Sequence, residues 1–403
     1  MNDVLDPNRI ALIDPSDFTT PYNLALAAAI ENRGGWVRLV GQAGSSLHRQ
    51  GVHQGHFYPI LTTSWGRRLP QGTLRLVKGA CQGVDMLRLS GLLTAIEAKI
   101  AHFQWSPLPA LDCWFIRTLR RHLPVVLTWH DSLPGNGSES WVMRQGYVRL
   151  LHSFDAIIVH TRQAQQRATA MGIDPAVIHR IPHGLLGDRG HHITRRRPHR
   201  DRLVLLQFGK IKPYKGVDLL LEALTLVPRD LRDRLDVRIV GKPYMDTCGM
   251  ERYVQANHLA RCVTFRFEFV SEADEEQAFA DADAVILPYR EIDASGVMMT
   301  AIARGVPVLA TGIEGFRELF EDEGGALLVP PGDAVALSRV IAEWVSAPKQ
   351  LDALAEAMLV RRAGIPSWDE IARLHFGAYA EAHSRWTAGR KHGKRSSLAM
   401  SRP

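Results

Sequence analysis

Two α/β domains, each a doubly wound parallel sheet covered by helices, are the fold that this 403-residue sequence predicts, and three observations predict it. Short apolar strands alternate with helical patterns along the chain, the arrangement that builds parallel sheets. A stretch at 187–202 with almost no apolar content divides two such series. Charge changes sign at that divide: Lys and Arg outnumber Asp and Glu 23 to 13 in residues 1–200, are outnumbered 20 to 29 in 201–384, and stand 6 to 0 in 385–403. Opposite signs suit two domains with different partners, the first drawn to an anionic one.

In chain order, the first series opens with a strand at Arg9–Asp14, a loop to Pro21, a helix of small apolar residues at Tyr22–Asn32 and a strand at Gly35–Val40. Buried-type strands follow at Ile100–Gln104, Val125–Thr128 and Ala156–Val159, with helical patterns at Leu87–Ala98 and Gln163–Met171. The second series has strands at Leu203–Phe208, Asp236–Val240, Val263–Phe265, Ala284–Leu287, Val306–Ala310 and Ala326–Val329. Helices are predicted near 217–226, 250–258, 272–281, 297–304, 315–321 and 333–346. The predicted organisation is a first domain at 1–186, a basic linker at 187–202 and a second domain at 203–365. A helix at 366–386 is expected to pack back on the first domain, and a basic flexible tail to occupy 387–403. Ligands of such sheets sit beyond the carboxyl ends of the strands, which for two facing domains means the cleft between them.

Composition excludes several classes. With 46% hydrophobic and 23% charged residues the chain can bury a full core and is neither disordered nor collagen-like. Cys81, Cys113, Cys248 and Cys262 form no C-x-x-C pair, so neither a disulfide framework nor a zinc or redox motif is predicted, and a reducing cytoplasm is expected. No apolar run reaches the ~18 residues of a membrane span, and the start carries Asp3, Asp6 and Asp14 where a signal peptide wants Lys or Arg. No nucleic-acid module is visible.

Two stretches carry chemistry. The first is Gly209-Lys210-Ile211-Lys212-Pro213-Tyr214-Lys215-Gly216, set between a strand and a helix. Backbone N–H groups at a helix start with lysines beside them make a place for a diphosphate. It is neither a P-loop nor the dinucleotide fingerprint, and the plainer alternative is a solvated basic turn. The second runs from Asp283 to Thr311, where a strand ends at Pro288 and a polar loop holds Arg290, Glu291, Asp293, Ser295 and Gly296. Carboxylates and N–H groups gathered there suit a polyhydroxylated ligand, because each hydroxyl both donates and accepts. The plainer alternative is that Asp293 or Ser295 only caps the next helix.

At these residues the second half resembles the donor-binding domain of glycosyltransferase family 4, whose fold is GT-B, two facing Rossmann-like domains. The resemblance rests on F-G-K-I-K-P-Y-K-G, V-R-I-V-G-K, the stretch F-V-S-E to I-L-P-Y, and G-V-P-V-L-A-T-G-I-E-G-F-R-E-L; it covers about 203–345 closely. The first half matches more loosely through T-W-H-D at 128–131, D-A-I-I-V-H-T at 155–161 and H-R-I-P-H-G at 179–184. The resemblance implies a nucleotide-sugar-dependent hexosyltransferase with a saccharide or lipid-linked saccharide acceptor, acting in bacterial polysaccharide or glycolipid assembly at the cytoplasmic membrane face. It implies that Gly209, Lys210 and Lys215 bind the donor diphosphate, that His130 faces the donor sugar as a catalytic residue, and that Glu291 is next in line. Glu291, Asp293, Ser295, Gly296 and Thr300 are then set toward the donor sugar or ribose, and Thr20, Tyr22 and His183 toward the first domain's side of the cleft, with His160 and His183 weaker candidates than His130 for the catalytic role.

Two departures stand out. Where the family carries a second glutamate near the ribose this sequence has Thr300, and its first falls beside Glu291. The N-terminal loop has Thr19-Thr20-Pro21-Tyr22 in place of a Gly-Gly pair. Metal independence is expected, since lysines stand where an ion's charge would act, and Asp281-Ala282-Asp283 is weighted as structural. The segment Trp114–Leu123, cationic on one side, suits an anionic membrane surface or simply a solvated basic face. A nucleotide-sugar epimerase of the same fold and a degenerate, non-catalytic partner subunit are the rival functions.

Overall fold

The structure, a computed structural model, describes residues 8–15, 19–42, 56–61, 71–106, 109–132, 141–187, 201–320 and 324–399. The chain divides into two compact units, Met1–Pro182 with Ser367–Pro403, and His183–Pro366. Most of the predicted linker, 188–200, lies outside the described residues.

In the first unit seven parallel strands form one sheet: β1 (Arg9–Ile13), β2 (Trp36–Gln42), β3 (Phe57–Leu61), β4 (Ile100–Phe103), β5 (Val125–Thr128), β6 (Ala156–Val159) and β7 (Ile178–Arg180), in the order 3-2-1-4-5-6-7. Strands β4, β5 and β6 are buried throughout, as expected of strands covered on both faces. Helices α1 (Thr20–Asn32), α2 (Gln71–Ala95), α3 (Pro109–Leu119), α4 (Trp141–Leu151) and α5 (Arg162–Ala170) connect them. Thr161 caps α5 by accepting the Ala164 N–H at 3.1 Å.

The second unit holds β8 (Leu203–Phe208), β9 (Leu235–Val240), β10 (Val263–Arg266), β11 (Ala284–Leu287), β12 (Val308–Thr311) and β13 (Ala326–Val329), all parallel, in the order 10-9-8-11-12-13. Its helices are α6 (Val217–Leu226), α7 (Arg229–Arg232), α8 (Cys248–Ala256), α9 (Glu272–Asp281), α10 (Gly296–Ala303), α11 (Glu314–Leu319), α12 (Ala334–Ser346) and α13 (Gln350–Gly364). Each sheet changes winding direction once, between β1 and β4 and between β8 and β11. Beyond the carboxyl ends of those strands lies the crevice in which such sheets bind ligands.

The two units share a device. Asp155, just before β6, accepts the Val125 N–H at 2.9 Å, and Asp283, just before β11, accepts the Val204 N–H at 2.8 Å. Each carboxylate thus ties its strand to the start of a neighbour. This gives Asp283 a structural partner, and Asp281 accepts from Arg238 at 2.9 Å.

Helix α14 (Trp368–Ala399) returns to the first unit, where Ile371, Ala372, Ala378 and Tyr379 join Tyr22, Leu26 and Ile30 in one apolar cluster. Arg33 and Asp369 pair across it at 2.6 Å. The helix runs through Ala399, well into the stretch that composition predicts as a flexible tail. Ala, Lys and Arg are good helix formers, and Trp386 and Arg390 donate to the carbonyls of Arg120 and Arg121.

Candidate active site

In the second unit the phosphate-type loop begins where β8 ends. Gly209 has φ +104 and Gly216 φ +65, backbone that only glycine adopts without strain. A Cβ on Gly216 would stand 1.9 Å from the Pro288 carbonyl oxygen, so the loop is pressed against the end of β11. That contact carries Lys215 inward. Only 7% exposed, it donates from Nζ to the hydroxyl of Tyr289, whose ring lies 4.3 Å below the ammonium, while the Lys215 carbonyl accepts from Gln207 at 2.9 Å. Burial, with Lys210 and Lys212 adding repulsion, pushes Lys215 down to about 7. Tyr289 is fully buried, and desolvation holds its hydroxyl protonated far above the usual tyrosine range. A lysine so placed gains most from an anion that restores its charge.

The polar loop after β11 is more structural than the sequence suggests. Ser295 accepts the Met298 N–H at 3.3 Å and caps α10, while its side chain also hydrogen-bonds Tyr289. Thr300 is buried and donates to the Gly296 carbonyl at 3.0 Å, the ordinary back-bond of a helical threonine. Asp293 is buried, and its carbonyl fits against Gly315, where a Cβ would come within 2.3 Å. Glu291 is exposed. Arg290 forks onto Asp218 at 2.6 and 3.0 Å and donates to the Pro213 carbonyl, bracing the lysine turn from outside. A Cβ on Gly209 would meet Val297 of α10 at 3.2 Å and Lys215 Nζ at 3.6 Å, so Gly209, Lys215 and the α10 start converge.

In the first unit the carboxyl ends of β4, β5 and β6 deliver Gln104, His130 and His160. His130 contacts Gln104 Oε1 through Nε2 at 2.8 Å and His160 Nε2 through Nδ1 at 3.1 Å. His160 Nδ1 meets the Ile181 carbonyl at 2.9 Å. Gln104 continues to His102 at 3.3 Å, and His102 to Thr128 at 2.7 Å and Tyr379 at 2.8 Å. Burial, with His375 and His160 nearby, lowers His102 well below the usual histidine range.

Tyr22 lies against this row instead of open to solvent: it is 2% exposed, its ring edge-on to His130 at 4.9 Å and to Trp368 at 5.2 Å, and its hydroxyl 3.4 Å from His375. Thr20, also buried, opens α1. Asp14 Oδ2 gathers the Thr19 N–H and hydroxyl and the Asn23 amide, shaping the loop that lacks Gly-Gly. His183 begins the second unit, buried and donating to the Gly184 carbonyl at 2.7 Å; desolvation drops it to about 4.

Comparison with known proteins bears on both units. Residues 19–184 match the model of the glycosyl transferase 4-like domain, and residues 202–347 that of glycosyl transferases group 1. The chain belongs to the GT4-like glycosyltransferases of GT-B fold. It is 31% identical over 182 residues to the GDP-mannose:glycolipid 4-beta-D-mannosyltransferase of Xanthomonas campestris pv. campestris, a match covering 44% of this chain and 48% of that protein; the chain thus spans about half that relative's length. To the phosphatidyl-myo-inositol mannosyltransferase of Mycobacterium leprae it is 27% identical, over 82% of this chain and 85% of the relative. The fold matches Anabaena Alr3699/HepE in complex with UDP and glucose with a TM-score of 0.71 at 17% identity, over 92% of this chain and 99% of that one.

Within this GT4-like frame, Lys215 and Gly209 come together, while Thr300 is tied to its own helix. Gln104 is the site residue that motif reading passes over, while His160 and Tyr289 lie inside the motifs D-A-I-I-V-H-T and I-L-P-Y without a role assigned by them. A further sequence signal is position: each follows a buried strand at its carboxyl end. Among the described residues no group of three His, Cys, Asp or Glu side chains is placed to hold a metal, and no helix is long and apolar enough to cross a membrane.

Proposed function

We propose that the chain transfers a hexosyl residue from a nucleoside-diphosphate sugar to a saccharide acceptor carried on a lipid, in bacterial polysaccharide or glycolipid assembly. The observation that carries this reading is Lys215: a buried lysine with a depressed pKa, at a glycine-shaped strand end on the sheet's switch point, suits an anionic ligand better than solvent. Lys210 and the loop N–H groups add to it. As the sugar leaves, negative charge grows on the diphosphate, and fixed cations stabilise that charge without metal. In this reading Asp293, Ser295, Gly296 and Glu291 are assigned to the donor sugar, and His130 to the reacting sugar. The named activities of the relatives, on GDP-mannose with a glycolipid and on phosphatidyl-myo-inositol, favour a lipid-borne acceptor. So do α3 and the turn after it, where Trp114 is 61% exposed and Arg117 and Arg121 are exposed, apolar and cationic groups suited to peripheral docking on the cytoplasmic leaflet.

The test is incubation with a panel of GDP- and UDP-sugars, with and without polyprenyl-diphosphate-linked saccharides. Transfer, or slow donor hydrolysis when acceptor is withheld, is expected. Sugar interconversion without release would point to an epimerase, and inertness toward every donor to a non-catalytic subunit; either result sinks the proposal.

A further inference from the structure

Hydrogen-bond direction along the row of histidines is fixed from one end. The Ile181 carbonyl can only accept, so His160 carries its proton on Nδ1. Neutral His160 then offers a bare Nε2, and at 3.1 Å His130 must donate to it from Nδ1. That leaves His130 Nε2 as an acceptor facing the Gln104 amide at 2.8 Å. With the amide oxygen there, His130 must also carry a proton on Nε2 and the pair holds a buried charge. After a half-turn of the amide, Gln104 donates to His130, and its oxygen faces His102 Nε2 at 3.3 Å, whose proton it shares with the Thr128 hydroxyl at 2.7 Å. His102 Nδ1 then accepts from the Tyr379 hydroxyl at 2.8 Å. This arrangement needs no charge in the row, and a half-turn of an amide costs less than placing an ion against buried His160.

We propose that His160 and Gln104 are positioning residues of the transfer reaction. They hold His130 in its Nδ1–H tautomer with both ring nitrogens engaged, so that His130 serves by a fixed ring orientation and not by taking a proton from the acceptor. Tyr22, edge-on at 4.9 Å, closes a further side of the ring. The inference rests on the glycosyltransferase reading above and assigns a role to residues that reading does not use.

Two substitutions separate the roles of the His160 nitrogens. Gln can place an acceptor where Nε2 stands and so keep the bond to His130; Asn can reach only the Nδ1 position and keep the bond to Ile181. His160→Asn is therefore expected to lower kcat about 10–100-fold with donor KM within a factor of three, and His160→Gln to recover most of it. Nitrogen-15 spectra of the histidine-labelled full chain at about pH 8, above the ordinary histidine range, are expected to show His130 and His160 as Nδ1–H tautomers. An Nε2–H tautomer at His130 overturns the proposal even if both variants fold poorly. So does equal activity of the Asn and Gln variants in a chain whose wild type transfers sugar. A wild type inert toward all donors overturns the functional reading, and this role in transfer with it.

Discussion

The two units answer the same problem, how to hold polar side chains at the carboxyl end of a buried parallel sheet, in opposite ways. The first links Gln104, His130, His160, His102 and Tyr379 into a row whose members hydrogen-bond one another. The second buries one lysine between two tyrosines and two other lysines, where its charge is opposed. A hydrogen-bonded row is rigid before substrate arrives; an opposed charge is a binding site in waiting. The contrast teaches that damage to the first unit should appear in turnover and damage to the second in affinity and its pH dependence.

The severest way to break the comparison is through backbone. Gly216→Ala puts a methyl 1.9 Å from the Pro288 oxygen at φ +65, so a stability loss of about 3 kcal/mol or more is expected in thermal melts, along with lost nucleotide binding. A variant that melts like the wild type would show that the loop is not clamped by β11.

On the other side, His130→Ala should lower turnover about 100-fold while donor affinity stays within a small factor. Comparable loss in both would erase the distinction between the units.

Lys215→Ala should weaken nucleoside-diphosphate binding by about 2 kcal/mol, measured by calorimetry. In the unliganded chain Lys215 gives up its proton near pH 7, whereas unfolded it keeps it to about 10.5. The unfolded state therefore binds more protons between those values, and the unliganded fold gains stability as pH rises through them. Diphosphate affinity should do the reverse, falling above about pH 7 with proton uptake on binding, and the Ala variant should lose that dependence. Tyr289→Phe sharpens the same point: it keeps the ring and removes the hydroxyl that accepts from Lys215, so affinity near pH 8 should drop by about 1 kcal/mol.

The smallest effects belong to α3 and the turn after it. Binding of acidic vesicles should fade with salt, and replacing Arg117 and Arg121 with Gln should weaken it by about 1 kcal/mol each. Arg120 is a different case. It pairs with Asp155 at 2.8 Å, and burial already holds that carboxyl above its ordinary value against the Val125 N–H and Arg120 itself. Arg120→Gln is expected to cost about 2 kcal/mol of stability, less than a fully buried pair because Arg120 is 43% exposed. Vesicle binding indifferent to salt and to both exposed arginines would mark this face as merely solvated.

What was legible in the sequence follows from burial. Strands β5, β6, β8 and β11 are covered on both faces, so their apolar runs have one interpretation. The sheet edges β3 and β7 hide: Pro59 in β3 argues against a strand, yet an edge tolerates its missing N–H, and β7 is the short Ile178-His179-Arg180. The glycine and lysine turn was legible because its chemistry is local. His160 stands only as a weaker candidate and Tyr289 as a motif end, because each gains its role from a residue tens of positions away that only the sheet brings near. Thr300 misled in the other direction, since its hydroxyl is used by its own helix.

Helix α14 bears on how the molecule is made. The ribosome finishes the second unit, roughly 180 residues, before it starts the helix that completes the first. At about 5–20 residues per second this leaves a nascent first unit waiting roughly 10–40 s for His375 and Tyr379. Until they emerge, Tyr22 and His102 face the place those side chains will fill, so the lysine site can be assembled while the histidine row is still unfinished.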